Sequence, residues 1–390
     1  MFPLIISKAL FNMTNKNIDY LFVYFNAREN RLEEGKNSPE EFFYGLQYFK
    51  RIGLNTKTIE YKYEFKKKSI LYYFLKIFQE LIFFIFRFRY DFINIVNKQS
   101  FLQVSNSNHI IITNTRIGHS MIPYMIYSKI FNKKIKFSVF AMGMFNISSK
   151  YKIIKAIHKK FHKVLIILAD NIIFIGQKEY FEVLETFPKY GSKIKFLPFG
   201  VDNVFWSGKA TTTKDNILFI GNDSNRDFDF LIDLIKKMPE NKFTIVSEKI
   251  NSQVENLQNV DLYQGSWNKN TYDDSFLKEI YDKSFISLIP LKDSLQPSGQ
   301  SVALQSMSMM VPVIITKTVG FWDTDYFKHG ENIYFINENE SDQWIQAIDD
   351  LYKNEEKYSL IKNNAKKLID EKFNCEYFGE NLIKILEDKS

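Results

Sequence analysis

Residues 285–316 read FISLIPLKDSLQPSGQSVALQSMSMMVPVIIT. The stretch opens on an apolar run of strand length and passes through a loop of Ser, Gln, Pro and Gly. It continues as a segment of helical length and ends in a second apolar run. Short apolar runs bounded by turn residues suit strands of a parallel sheet covered on both faces. A helix that begins where such a strand ends presents free N–H groups and a partial positive charge. Gly299 lets an anion approach the backbone there. Ser298 and Ser301 add hydroxyl donors around Gln300, the first residue of the expected helix. Gln305, one turn beyond Ser301, adds a neutral amide to the same helix.

The same alternation runs along all 390 residues. Apolar runs at 20–25, 57–63, 109–114, 136–143, 171–176 and 194–200 predict six strands in the first half. Runs at 216–221, 242–248, 260–265, 285–291, 311–316 and 332–336 predict six more. Helix-length segments lie between them, which implies parallel sheets with helices on both faces. The pattern restarts after SGKATTTKD at 207–215, a small polar linker. The expectation is an α/β protein of two doubly wound, Rossmann-like domains, 1–205 and 206–375, on either side of an interdomain cleft. A last helix in 376–390 returns to the first domain. Ligands of such sheets sit at the carboxyl ends of the strands.

A lone cysteine, Cys375, excludes a disulfide framework and points to a reducing compartment. The opening MFPLIISKALF lacks a basic n-region and a small-residue cleavage site, so it is not read as a signal peptide. Charge is divided unevenly. Residues 1–200 hold 31 Lys and Arg against 14 Asp and Glu, whereas the remainder holds 21 against 31. A basic half joined to an acidic half predicts that the first half meets a polyanion.

A second loop supports the first. NILFIG at 216–221 is followed by NDSNRDFDFLIDLI, again strand, Gly, polar loop and amphipathic helix. Asn222 and Arg226 fall in that loop, where Arg226 can clamp a phosphate bidentately. Ser247 ends the next strand at the same sheet edge.

These segments together resemble the donor-binding half of GT-B glycosyltransferases, and glycosyltransferase family 4 in particular. QSMSMMVPV at 305–313 is similar to the second half of that family's E-x7-E and A-M-A-x-G-x-P-V segment. Gln305 stands where the family's second glutamate binds the nucleotide ribose. The first glutamate falls on Pro297 by strict count, or on Gln296 with a one-residue shift. Arg226 and Asn222 stand at the family's Lys and Arg positions. LPFGVDNVFW at 197–206 resembles its I-P-x-G-V-D hinge segment, and HGENIYFI at 329–336 its D-G-x-N-G segment. The likeness covers about 170–378, and the earlier residues by layout alone.

The resemblance implies a UDP-sugar or similar nucleotide-sugar as co-substrate, no bound cofactor, and retention of anomeric configuration. A front-face route, in which the leaving diphosphate takes the acceptor proton, needs charge stabilisation more than paired carboxylates. Arg226 and the amides at 299–301 are expected to supply it. DFD at 227–229 and DTD at 323–325 are the only acidic runs that invite a metal, and no His or Cys spacing supports one. On the acceptor side the expected residues are Gly35, Asn114, Arg116 and His119, with His119 also a candidate catalytic group. The segment at 33–45 has a competing local reading, a helix start with Ser38 as cap and Glu41 at the third helical position.

FKKKSILYYFLKIFQELIFFIFRFRYDFINIVNK at 65–98 is dense in apolar residues, yet Lys76, Gln79 and Glu80 interrupt any membrane-spanning window. Lys66, Lys67, Lys68, Arg87 and Arg89 flank it. This composition suits a helix lying in an anionic membrane interface. SKYKIIKAIHKKFHKVLIIL at 149–168 repeats the mixture, with a core helix as its alternative reading. Nucleic acid is disfavoured, because no recognised motif is present and the aromatics sit in continuous apolar runs. The expected protein works in the cytoplasm, peripheral on the inner face of the cell membrane. It moves a hexose or hexuronic acid to a lipid such as diacylglycerol, or to a polyprenyl-linked or lipopolysaccharide glycan. A non-catalytic nucleotide-sugar-binding scaffold is the alternative from another class.

Overall fold

The computed structural model describes residues 17–25, 28–34, 38–61, 70–86, 90–91, 95, 97–131, 133–145, 151–208, 215–250, 254–255, 257–265 and 271–388. Twelve strands form two six-stranded sheets among them. The first contains β1 (Ile18–Phe25), β2 (Thr56–Tyr61), β3 (Ser107–Ile112), β4 (Lys136–Ala141), β5 (Asn171–Phe174) and β6 (Ile194–Phe196), in the order β2-β1-β3-β4-β5-β6. The second contains β7 (Asn216–Ile220), β8 (Lys242–Val246), β9 (Val260–Tyr263), β10 (Ser284–Ile289), β11 (Val313–Thr316) and β12 (Tyr334–Ile336), in the order β12-β11-β10-β7-β8-β9. Every neighbouring pair is parallel.

The helices of the first unit are α1 (Glu29–Glu34), α2 (Leu46–Arg51), α3 (Ile70–Phe86), α4 (Lys98–Ser105), α5 (Thr115–Ser120), α6 (Ile122–Ile130), α7 (Lys152–Leu168) and α8 (Gln177–Thr186). Those that follow are α9 (Phe228–Lys237), α10 (Asp274–Asp282), α11 (Gln300–Ser308), α12 (Ser341–Lys353), α13 (Glu355–Lys372) and α14 (Cys375–Glu387). Their starts are written locally. Asn97, Asn114, Asp227, Asp273, Asn354 and Asn374 each accept a backbone N–H from the first turn of the helix they precede.

Parallel strands bury both faces, and β1 shows how the period of two divides them. Leu21 and Val23 join the core on one face with Ile110, Ile112 and Val139. Phe22 and Tyr24 face the other way, into a core that continues through Phe140 and Phe378 to Ile289, Leu304 and Ile315 of the second unit. One apolar core therefore crosses the junction between the two units. The helix α11 lies in that core and is buried almost all round, from Gln300 to Ser308 apart from Ser301. Its serines find internal partners: Ser306 Oγ donates to Val302 O and Ser308 Oγ to Trp206 O, both at 2.7 Å.

The chain passes between the units twice, side by side. Val201 N donates to Phe373 O at 2.8 Å and Cys375 N to Val201 O at 2.9 Å. After this second crossing α14 packs on α2 of the first unit. Leu382 is buried there, and Phe378 stacks on Phe140 at 5.8 Å. Gly379 makes the approach close enough, because a Cβ at that position would collide with Cβ and Cγ of Tyr48. Alanine ordinarily gains about 1 kcal/mol over glycine inside a helix. Here Gly379→Ala is expected to lower stability by about 1–3 kcal/mol, as overpacking does, and a denaturation midpoint at or above that of the unaltered protein would contradict this packing.

Candidate active site

The two loops singled out in the sequence meet at the carboxyl ends of β7 and β10. Their meeting is built on backbone pairing. Asp227 N donates to Pro290 O at 3.0 Å, Lys292 N donates to Asn225 O at 2.8 Å, and Arg226 bridges to Leu291. Asn225 Nδ2 reaches Ser298 Oγ at 2.7 Å, so the first loop also holds the second.

Arg226 lies inside this junction with 2% of its surface exposed. Two glycines make room for it. A Cβ on Gly221 would stand 2.6 Å from its Nε, and one on Gly299 would stand 3.0 Å from its Nη1. Nε donates to Asp223 Oδ2 at 2.8 Å, whereas Nη1 is buried with no hydrogen-bond partner among the described residues. Gly299, at φ 77°, is the N-cap residue of α11 and has no side chain to satisfy the first-turn N–H groups. A buried cation with an orphaned N–H therefore stands against an uncapped helix N-terminus. Both features are satisfied by an anion. Gln300 adds another such atom: its Oε1 is buried without a partner among the described residues, while Nε2 points to Ile175 O at 3.5 Å.

Asn222 and Ser247 sit at the same edge as struts. Asn222 Nδ2 donates to Gly265 O at 2.9 Å, and its Oδ1 accepts from Glu248 N at 2.6 Å and Ser247 Oγ at 3.2 Å. The side chain thus ties together the ends of β7, β8 and β9. Gln305 is also engaged. Its Oε1 accepts from Tyr281 OH at 3.1 Å, and its Nε2 donates to Glu41 Oε1 at 2.9 Å.

Sequence reasoning missed Glu41 as a site residue. This first-unit carboxyl is buried at the junction, where it also accepts from Trp206 Nε1 at 2.7 Å and Asp202 N at 3.1 Å. Burial pushes its pKa up to about 7 against the lowering effect of the Gln305 and Trp206 hydrogen bonds. The local reading of Ser38 as a helix cap is replaced by a contact across the junction. Ser38 Oγ donates to Asp274 Oδ2 of α10 at 3.0 Å, and Arg31 forms a buried ion pair with the same carboxylate.

The first unit closes against the tip of the donor loop. Gly143, at φ 63°, has room only for a hydrogen, since a Cβ would fall 2.9 Å from Gln296 Oε1. Gly176 stands in the same relation to Pro297. Buried Glu179, also raised to about 7 by burial, accepts from Gly143 N at 2.9 Å and Met144 N at 2.5 Å and so shapes this turn. Gln177 reaches over to Asp325 Oδ2 at 2.7 Å. Glu179 and Gln177 carry no local signal of these contacts, which depend on a turn and a loop far away in sequence.

The acceptor-side residues have mixed placements. Asn114 is the N-cap of α5, accepting from Ile117 N at 2.9 Å. Arg116 is half-buried, paired with Asp91 and lying 5.0 Å from the Phe25 ring. His119 is 1% exposed, with Nδ1 2.7 Å from Thr115 O and its ring 5.1 Å from that of His162. Burial drives its pKa down to about 4. It belongs to the first-unit core, because α5 turns Ile117 to Ser120 inward. Gly35, Lys66, Lys67, Lys68, Arg87 and Arg89 lie outside the described residues. Among the described residues no three His, Cys, Asp or Glu side chains group so as to hold a metal ion.

The Glu41 link makes stability depend on pH in a defined direction. Its carboxyl moves from the usual 4.5 when unfolded to about 7 when folded, so the folded protein holds an extra proton between those values. This contribution is complete below the unfolded value and is lost as pH rises through 7, at most roughly 3 kcal/mol. Glu41→Gln stays neutral and is expected to flatten the fall in melting temperature between about pH 5 and about pH 8. An unchanged pH slope in that variant would contradict the buried-carboxyl assignment.

The comparisons with known proteins agree with this fold. Residues 214–354 match the family model described as Glycosyl transferases group 1. No curated protein sequence matches the chain. Among solved structures, HepE of Anabaena in complex with UDP is 11% identical, with a TM-score of 0.60 over 95% of this chain and 99% of that one. A glycosyltransferase of Rickettsia africae is 12% identical, with a TM-score of 0.63 over 96% and 100%. Sucrose-phosphate synthase of Thermosynechococcus elongatus is 12% identical, with a TM-score of 0.65 over 94% and 98%. The chain is a two-unit α/β protein of the GT-B fold, and residues 214–354 of its second unit match group 1 glycosyl transferases.

Proposed function

We propose that the protein transfers a hexosyl or hexuronosyl group from a UDP-sugar to a membrane lipid acceptor such as diacylglycerol, with retention, at the inner face of the cell membrane. One observation carries the donor half of this reading: Arg226 Nη1 is buried and unpartnered beside the uncapped start of α11. A diphosphate supplies the missing acceptors and the countercharge. HepE structures with UDP and with UDP-glucose, on the same fold, support the choice of nucleotide.

The chemistry follows from that charge. As the bond from the anomeric carbon to the diphosphate oxygen breaks, negative charge grows on the diphosphate. Arg226 and the first-turn amides of α11 are already oriented towards it, so little reorganisation is needed. The acceptor hydroxyl attacks from the same face, and the departing phosphate oxygen takes its proton. Gln305 acts through Glu41, keeping the first unit in register with the donor loop. His119, enclosed in the core, has no part in proton transfer.

The acceptor half rests on the surface of the first unit. On α3, Tyr73, Phe74, Ile77, Phe78, Leu81, Phe84 and Ile85 are exposed, Phe84 by 71%. Beside it, α7 buries His158, His162, Leu165 and Ile166, while Ile153, Phe161, Val164 and Ile167 stay exposed among Lys152, Lys155, Lys159, Lys160 and Lys163. Among the described residues no helix is long and apolar enough to cross a membrane. Contiguous apolar side chains mixed with lysines suit an interfacial helix pair.

Arg226→Ala is expected to weaken UDP binding by at least about tenfold, the loss of a charge-assisted hydrogen bond, and to abolish transfer of labelled sugar into the organic phase of a lipid extract. UDP bound as tightly by that variant would overturn the donor site; tight binding by the unaltered protein without turnover would make it a scaffold. Phe84→Ser with Ile85→Ser is expected to reduce sedimentation with phosphatidylcholine–phosphatidylglycerol vesicles, and full retention would remove α3 from the membrane contact.

A further inference from the structure

A cavity of about 470 Å³ lies far from the donor site, between the ends of α6 and α7 and the start of β4. Lys129, Lys133, Lys134 and Lys136 line it, and Phe137 and Leu168 provide apolar wall. Asp170 is the one carboxylate of the lining, against four lysines. Asp170 Oδ2 accepts from Phe137 N at 2.8 Å, and Ser128 Oγ donates to Lys133 O at 2.7 Å. Lys129, Lys133 and Lys136 form no ion pair among the described residues. A further lysine crowds the site. Lys193 Nζ donates to Ile167 O at 2.8 Å and Ala169 O at 2.7 Å, closing the end of α7. Its pKa is pulled down by partial burial first and by the Lys129 charge second, against the raising effect of Asp170.

These lysines are exposed or half-exposed around the hollow, and with one carboxylate among them they leave it net positive and attractive to an anion. The neighbourhood says which kind. Ile126, Ile130 and Phe131 are exposed at the end of α6, Ile130 by 70%, and Val164 and Ile167 are exposed at the end of α7. A free phosphate or a nucleic acid would leave these side chains in water. An anionic phospholipid covers both features, with its phosphate among the lysines and its acyl chains along the apolar rim. Each lysine close to an anionic leaflet contributes roughly 1 kcal/mol.

We infer that the Lys129–Lys133–Lys136 cavity binds the phosphate headgroup of an anionic membrane phospholipid as a discrete site. This deepens the membrane reading above and rests on it, by adding a headgroup pocket to the apolar surface of α3 and α7.

Titration calorimetry with dihexanoyl-phosphatidylglycerol below its micelle concentration tests the pocket without a bilayer. Saturable binding is expected, with none to dihexanoyl-phosphatidylcholine and at least a tenfold loss in Lys133→Ala/Lys136→Ala, as two charge contacts would give. Equal affinity in that variant, or inorganic phosphate bound as tightly as the lipid, overturns the pocket. Sedimentation with phosphatidylcholine–phosphatidylglycerol vesicles separates the two readings. Vesicle binding that the lysine variant retains in full removes the pocket and leaves the membrane reading standing. No vesicle binding by the unaltered protein removes the membrane reading, and the lipid source with it.

Discussion

A guanidinium buried at the edge of a parallel sheet is the constraint to which the second unit is fitted. Taking a charge out of water costs several kcal/mol unless partners replace the solvent. Arg226 has one carboxylate partner, Asp223, whose side chain is itself more than a third exposed. The rest of the compensation comes from what surrounds the second nitrogen. Gly221 and Gly299 leave the space, the pairing of Arg226 with Leu291 sets the direction, and α11 aims its positive end at the same place. One buried N–H of the guanidinium is left without an acceptor among the described residues, and the start of α11 beside it has no side-chain cap.

The second constraint is the junction between the units. Apolar packing alone is non-directional and would tolerate sliding. Here the shared core is pinned by buried polar contacts: Arg31 and Ser38 on Asp274, and Glu41 on Gln305 and Trp206. Each leaves a buried group without its partner if the units slide out of register while in contact. Beside these contacts the tip of the 292–299 loop rests against Gly143 and Gly176. The glutamine at position 305 makes sense in this setting. A second carboxylate there would stand against Glu41, and two buried like charges at hydrogen-bond distance repel. An amide instead donates to Glu41 with one end and accepts from Tyr281 with the other.

Legibility followed the range of the interaction involved. The strands could be read because burial on both faces forces runs of Ile, Val, Leu and Phe, as in 285–291 and 109–114. The Arg226 loop could be read because a polar loop between a strand and an amphipathic helix has one place to go in such a sheet. Ser38 misled, since its hydroxyl had two options. The local cap lost to Asp274, 236 residues away, in a contact no spacing announces. His119 follows a strand end as expected, yet the phase of α5 turns its ring into the core.

By itself the sequence determined the number of strands and their places along the chain, the restart that separates two sheets, and the two polar loops, one carrying an arginine and one leading through a glycine into a helix. Those follow from periodicity and turn chemistry, which act over a few residues. Only the tertiary structure decided that Gln305 answers to Glu41 across 264 residues, that the donor loop rests on two glycines of the first unit, and that four lysines gather around one hollow. Such contacts arise when separately stable layers close over a common core, and chain distance carries no information about which polar groups then face each other.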